Sequence, residues 1–243
     1  MSVMPKIEIP ALTINAAASA DAGAASHWRV WQLVDSAFPA GGFAHSGGLE
    51  AAWQAGWVRS SADMGEFILE FIAQLAEGSL PLIHAAVKGG DFQTLDAYQD
   101  SLMPNHVANR ASRAQGMALL ATAESSFDIA ELRELRVFVL RSRAPTHHTV
   151  VFGTLMRMLA VEPRAALEMF LFTATRSLMS AAVRLGIVGP LEAQRLQTTL
   201  DSALNAAVTR GITLAPEEAC QVSPMLELWQ MSQDRLYSRL FQS

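Results

Sequence analysis

The most distinctive run of the 243-residue chain is Pro39-Ala40-Gly41-Gly42-Phe43-Ala44-His45-Ser46-Gly47-Gly48, in which glycine and proline alternate with an aromatic ring, an imidazole and a hydroxyl. A phosphate-cradling loop would close on Gly-Lys-Ser/Thr, whereas Gly48 is followed by Leu49 and Glu50. A dinucleotide loop follows a strand, and the Trp28, Trp31, Val34 spacing before this loop is helical. Two readings stay open. The loop is either a tight corner packing two aromatic-rich helices, with Pro39, Gly41 and Gly48 supplying the turn, or a shaped element presenting Phe43, His45 and Ser46 to a partner.

His147 and His148 are adjacent. On a helix, metal ligands need i, i+3 or i+4 spacing to share a face, and neighbours point about 100° apart. A structural role at a helix start, a transient nickel or zinc contact and a catalytic base are all weighed. No Asp or Glu lies between Arg143 and Val161 to complete a dyad. His84 and His106 are isolated, and the single cysteine, Cys220, is read as a small buried hydrophobe. One cysteine excludes an intramolecular disulfide, an intrachain Cys₄ or Cys₂His₂ zinc site and an iron–sulfur cluster. Arg133, Arg136, Arg141 and Arg143, interspersed with Glu131 and Glu134, read most simply as a solvated helix face with local ion pairs, a partner-binding face being the alternative.

These groups must be held by helices. Apolar residues recur at helical spacing from Leu49 through Trp57 and from Phe67 through Leu75, where Asp63 and Glu66 look like a capping box. Further helices fit Leu80–Val87, Phe92–Leu102, Asn105–Ala123, a stretch from Asp128 to before Pro145, Thr149–Ala160, Arg164–Leu185, Leu191–Thr209, Pro216–Gln221 and Met225–Leu240. The expectation is one all-α domain over residues 27–243, a bundle of about nine or ten helices. Residues 1–26, rich in Ala, Ser and Gly, are expected to be a disordered arm.

Charged residues are 17% of the chain, hydrophobic residues 51%, and the formal net charge is −5. The negative balance argues against nucleic-acid binding. The low charge fits a chain that is either well buried or covers its remaining apolar surface with partners. Ala165–Val183 has the length of a membrane span, but Glu168 and Arg176 would each cost roughly 2.5–3.5 kcal/mol at a bilayer centre. A buried helix is expected there, and no secretory or transit segment is expected at the start. The last residues, Arg235-Leu236-Tyr237-Ser238-Arg239-Leu240-Phe241-Gln242-Ser243, are unusually aromatic for a terminus, so they must dock on their own domain or on a partner.

Taken together, these segments resemble the UreF family of urease accessory proteins. Ser36, Pro39, Gly41, Phe43, Ser46, Gly48, Leu49 and Glu50 fill a Ser-x-x-x-Pro-x-Gly-x-Phe-x-x-Ser-x-Gly-Leu-Glu motif. Arg110-Ala111-Ser112-Arg113-Ala114-Gln115-Gly116, His147 with Phe152-Gly153, Ser180-Ala181-Ala182-Val183-Arg184-Leu185 and the terminal Arg239-Leu240-Phe241-Gln242-Ser243 resemble further family segments in order. One departure is Gln233, which stands where the family pattern has His before Asp234. The resemblance implies an all-helical cytoplasmic protein that is not an enzyme and holds no cofactor. It implies binding to UreD (also called UreH), dimerisation, and recruitment of the GTPase UreG to apo-urease, where GTP hydrolysis drives nickel insertion. Partner contact, not catalysis or metal ligation, is then expected of Phe43, His45, Ser46 and Glu50, and of Arg235, Tyr237, Arg239, Leu240 and Phe241. Arg184 is expected to be structural. It and Arg239 are expected in buried ion pairs, with entry into the GTPase site as the alternative. A stand-alone helical metal-dependent hydrolase using His147 and His148 is the alternative reading of the whole chain.

Overall fold

Two helices hydrophobic on every side organise the chain, because such helices can only be buried. In a computed structural model describing residues 22–243, with side chains from His27 onward, they are α4 (Leu80–Val87) and α8 (His148–Met158), which cross at the centre. On α4, Leu80, Leu82 and Ile83 are fully enclosed, and on α8 every residue from Thr149 to Met156 is buried. Gly153 makes the crossing close: a Cβ there would stand 2.7 Å from Ala86 Cβ and 2.9 Å from the Ile83 carbonyl oxygen. Around this pair pack α3 (Ser61–Gly78), α5 (Phe92–Leu102), α6 (His106–Ser126), α9 (Pro163–Arg184) and α11 (Asp201–Thr213), with α7 (Ala130–Ser142) against α6 and α10 (Pro190–Thr199) against α9. The short α2 (Leu49–Gln54) follows the glycine loop, and α12 (Pro224–Ser232) packs on α2 and α6. The first helix, α1 (Ala22–Val34), reaches the body chiefly through buried Leu33 and Arg176, whose guanidinium donates to the Val34 carbonyl at 2.7 Å.

The all-α expectation is met: the described residues contain twelve α-helices, three 3₁₀ turns and no strand. The helix count exceeds the expected nine or ten, partly because Leu191–Thr209 is not one helix. It breaks at Leu200, where the hydroxyls of Thr198 and Thr199 bond back to the Gln194 and Leu196 carbonyls. Such back-bonding competes with the helical ladder. The last helix ends at Ser232, well before Leu240, and Pro216–Gln221 shrinks to a 3₁₀ turn over Pro216–Glu218. The capping box of α3 is also shifted. Ser60 is the cap: its hydroxyl accepts from Asp63 N at 3.2 Å, and its own N–H donates to the Asp63 carboxylate at 3.0 Å. Cys220 is exposed, not buried, because it lies in the irregular stretch before α12.

The arm expected over residues 1–26 lies mostly outside the described residues, and α1 already begins at Ala22. The span weighed as a membrane crossing is α9, which buries Leu167, Phe170, Leu171, Leu178 and Met179 in the core. Among the described residues no helix is long and apolar enough to cross a membrane.

Candidate functional site

The glycine loop and the C-terminal tail, some 190 residues apart in sequence, form one structure. Three loop glycines adopt left-handed backbone: Gly41 at φ 77°, Gly47 at φ 61° and Gly48 at φ 90°. Gly48 is also crowded, since a Cβ there would lie 2.9 Å from the Gln230 backbone nitrogen on α12. The loop so turned offers its backbone to the tail. Ala44 O accepts from Gln242 N at 2.8 Å, and Ser46 N donates to Ser243 O at 2.5 Å. The His45 ring, through Nδ1, is hydrogen-bonded to the Ser243 hydroxyl.

Glu50 completes the clamp from beneath. Its side chain is 2% exposed. Oε1 accepts from Leu240 N at 2.6 Å, while Oε2 accepts from Phe241 N at 3.1 Å and Gln233 Nε2 at 2.7 Å. A buried carboxylate is tolerated only when so paired. Gln233, the departure from the family pattern, is fully buried and spends its amide donor on Glu50 and on the Phe241 carbonyl, while its Oε1 has no partner. Above the clamp, the Arg184 guanidinium lies between two rings, 4.2 Å from the centroids of both Phe43 and Phe241, and donates to the Phe43 carbonyl at 2.9 Å. Arg184 thus ties loop to tail by cation–π contact. The ion pair expected for it is not found, since it has no carboxylate partner among the described residues.

The candidate partner residues divide. Ser46, Glu50 and Phe241 are buried inside the chain and bind one another's segments, so their immediate work is to hold the tail. His45 is partly buried, and burial lowers its pKa, assisted by the Arg110 charge. Phe43, Arg235, Tyr237, Arg239 and Leu240 are exposed, Tyr237 entirely so. Pro39 is exposed, and its carbonyl accepts from the Thr122 hydroxyl at 3.1 Å.

His147 and His148 part company. The His147 ring is wholly buried, with Nε2 3.0 Å from Asp100 Oδ1 and Nδ1 3.1 Å from the Ser112 hydroxyl. Its backbone N–H and that of Thr146 donate to the buried Asp96 carboxylate, each at 2.7 Å. Asp96 thereby fixes a turn in which Thr146 has φ 67°. Gly116 on α6 admits this turn, for a Cβ there would lie 2.0 Å from the Thr146 carbonyl oxygen. Burial lowers the His147 pKa, against the pull of Asp100 and Asp96. His148 stacks among Phe152 and Phe170, and desolvation, with the nearby His45, lowers its pKa to about 4. The two rings face different surroundings and make no joint chelate. Among the described residues no group of three His, Cys, Asp or Glu could hold a metal ion. Asp96 and Asp100 carry no signal of these roles in the sequence, because no local spacing links α5 to the turn before α8.

A cavity of about 520 Å³ opens behind the loop, lined among others by Phe38, His45, Gln115, His148, Phe170 and Ser177. The His45–Ser243 contact at its edge does not complete a catalytic triad, since among the described residues no carboxylate bonds the other ring nitrogen.

A family model described as UreF matches residues 58–201 of the chain. The chain is 36% identical over 225 residues to urease accessory protein F of Arabidopsis thaliana, covering 90% of this chain and 94% of that protein. It is 35% identical over 221 residues to urease accessory protein F of Oryza sativa subsp. japonica, covering 89% and 85%. With urease accessory protein UreF of Arthrobacter sp. (strain FB24) the identity is 36% over 213 residues, covering 87% and 95%.

Proposed function

Because this chain belongs to the UreF family of urease accessory proteins, we propose that it is a non-enzymatic adaptor of urease maturation: it binds UreD (UreH), recruits the GTPase UreG to apo-urease and regulates GTP-dependent nickel insertion. In this reading it works in the cytoplasm, as a homodimer within the complex, and nickel is cargo that it helps to deliver. The observation that carries the proposal is the ordered tail. Glu50 and the loop take up the N–H groups of Leu240, Phe241 and Gln242, while the side chains of Tyr237 and Leu240 are exposed. Large aromatic and aliphatic side chains left in solvent side by side on an anchored segment suit a partner surface. Coupling to GTP follows from differential affinity: an adaptor that binds one nucleotide state of its GTPase better than the other turns hydrolysis into release.

The test is co-purification with the UreD-type and UreG-type proteins of the same organism, read by size-exclusion chromatography with light scattering. A ternary species whose GTPase joins in a nucleotide-dependent way is expected. Tyr237→Ala with Leu240→Ala should leave the melting temperature unchanged and deplete that species. Undiminished yield from the double variant would remove the tail from the interface, and a wild-type chain that stays alone beside two folded partners would overturn the adaptor reading.

A further inference from the structure

The chain is acidic overall, with formal net charge −5, yet one stripe of its surface is cationic. His106, Arg110 and Arg113 stand at four- and three-residue spacing on α6 and so share a face; all three are exposed. Arg239, also exposed, reaches Asp234 from the tail, and exposed Arg235 follows Asp234 directly in the chain. Asp234 sits in their midst, bonded by Arg110 Nη2 at 3.0 and 3.1 Å and by Arg239 Nη1 at 3.1 Å, with His106 Nε2 at 3.4 Å. Burial pushes the Asp234 carboxyl up, but Arg110, His106 and Arg239 outweigh it and hold its pKa below the ordinary carboxylate value. The other nearby carboxylate, Asp100, is occupied by Asn109 Nδ2 at 2.9 Å and by His147. Arg113 gives its Nε–H to the Pro145 carbonyl at 3.2 Å, and neither it nor Arg235 pairs with a carboxylate among the described residues. Of the four arginines, Arg110 and Arg239 therefore share the single carboxylate of Asp234, and Arg113 and Arg235 have none among the described residues. An open cleft of about 470 Å³ runs beside them, lined by Met103, Pro104, His106, Asn109, Arg110 and Arg113, with no carboxylate in its wall.

The geometry favours a long ligand over a small anion. The cations spread over two turns of α6, about 10 Å, and on along the tail instead of converging on one point. An isolated anion at exposed arginines gains little, whereas a chain carrying several carboxylates can engage them together in bidentate pairs. Asp234 shows which group the arginines accept. We propose that this stripe is a docking surface for an acidic segment of a partner protein, whose carboxylates take Arg113, Arg235 and the outer faces of Arg110 and Arg239. The proposal rests on the adaptor reading for which protein brings that segment.

The test uses the full chain and a dye-labelled ten-residue peptide of alternating Glu and Ala, with a Gln-and-Ala peptide as control, followed by fluorescence anisotropy. The acidic peptide alone should bind, less tightly as salt rises. Arg113→Glu with Arg235→Glu should weaken it about tenfold or more, as expected for reversing two exposed pairs, while Arg113→Lys with Arg235→Lys retains most of it. Equal affinity for wild type and the Glu variant overturns the proposal. So does displacement of the peptide by inorganic phosphate at matched ionic strength, which would mark a small-anion site. The same variants then enter the co-purification. Loss of the ternary species in parallel with peptide binding is the expected result. An intact ternary species despite lost peptide binding overturns the docking surface and leaves the adaptor reading standing. A wild-type chain that binds the peptide as expected but forms no ternary species overturns the adaptor reading and leaves the site.

Discussion

Glu50 is the residue on which the loop–tail assembly turns. Its removal would take the acceptor from three donors, the part-buried Leu240 amide, the buried Phe241 amide and the Gln233 side chain, which would keep only the Phe241 carbonyl. Glu50→Ala should therefore cost on the order of 3 kcal/mol, read as a lower midpoint in urea unfolding and as earlier cleavage of the tail by a protease; an unchanged midpoint would mean that the clamp adds nothing to stability. The loop glycines separate by crowding. Gly41 has φ 77° with ordinary room for a Cβ, whereas Gly48 combines φ 90° with the α12 backbone at 2.9 Å from where a Cβ would stand. Gly41→Ala should cost about 1 kcal/mol from strain alone, and Gly48→Ala clearly more, because α12 must move as well. Matched thermal melts of the two variants decide this, and equal losses would refute the crowding argument. The sequence pointed to both glycines and to Glu50, but it could not tell a residue that touches a partner from one that holds the residues that do.

At the scale of elements, α8 and the turn before it make stability depend on pH. The His148 pKa is lowered from 6.5 to about 4 by burial, and those of His147, His45 and His84 are lowered as well, chiefly by burial. The unfolded chain then binds more protons than the folded one below about pH 6.5. Stability is fully present above that pH and falls as pH drops toward 4, with a slope approaching about 1.4 kcal/mol per pH unit from His148. His148→Phe, which keeps a ring among Phe152 and Phe170, should flatten the fall; a series of melts between pH 7 and 5 with the same slope in both proteins would contradict this. Most helices were legible from apolar periodicity, and α4 and α5 match to the residue. Among the misread boundaries, those at Ser60, Leu200 and Ser232 lie where side-chain oxygens or a distant partner compete with the helical ladder. Periodicity carries no information about such competition.

For the whole molecule, the tail is the last piece laid on a finished bundle, yet it is anchored like core. Phe241 is 4% exposed against Arg184, so Phe241→Ala should cost about 3 kcal/mol, measurable as a shifted denaturation midpoint with helix content retained in the native state. Deleting residues 236–243 should likewise lower the melting temperature, because Glu50 would keep a buried charge without its two backbone donors. Truncation therefore cannot separate folding from partner binding, and the exposed Tyr237 and Leu240 are the cleaner probes. The sequence by itself determined the all-α class, the helical apolar faces, the absence of a phosphate loop and, through its motifs, the family, since all of these are written in residue type and local spacing. Only the tertiary structure decided that the tail docks on its own chain, that His147 and His148 serve different surroundings, and that arginines from α6 and the tail gather around Asp234. Those outcomes depend on groups 35 to 198 residues apart being brought within hydrogen-bond distance, which no local spacing in the sequence encodes.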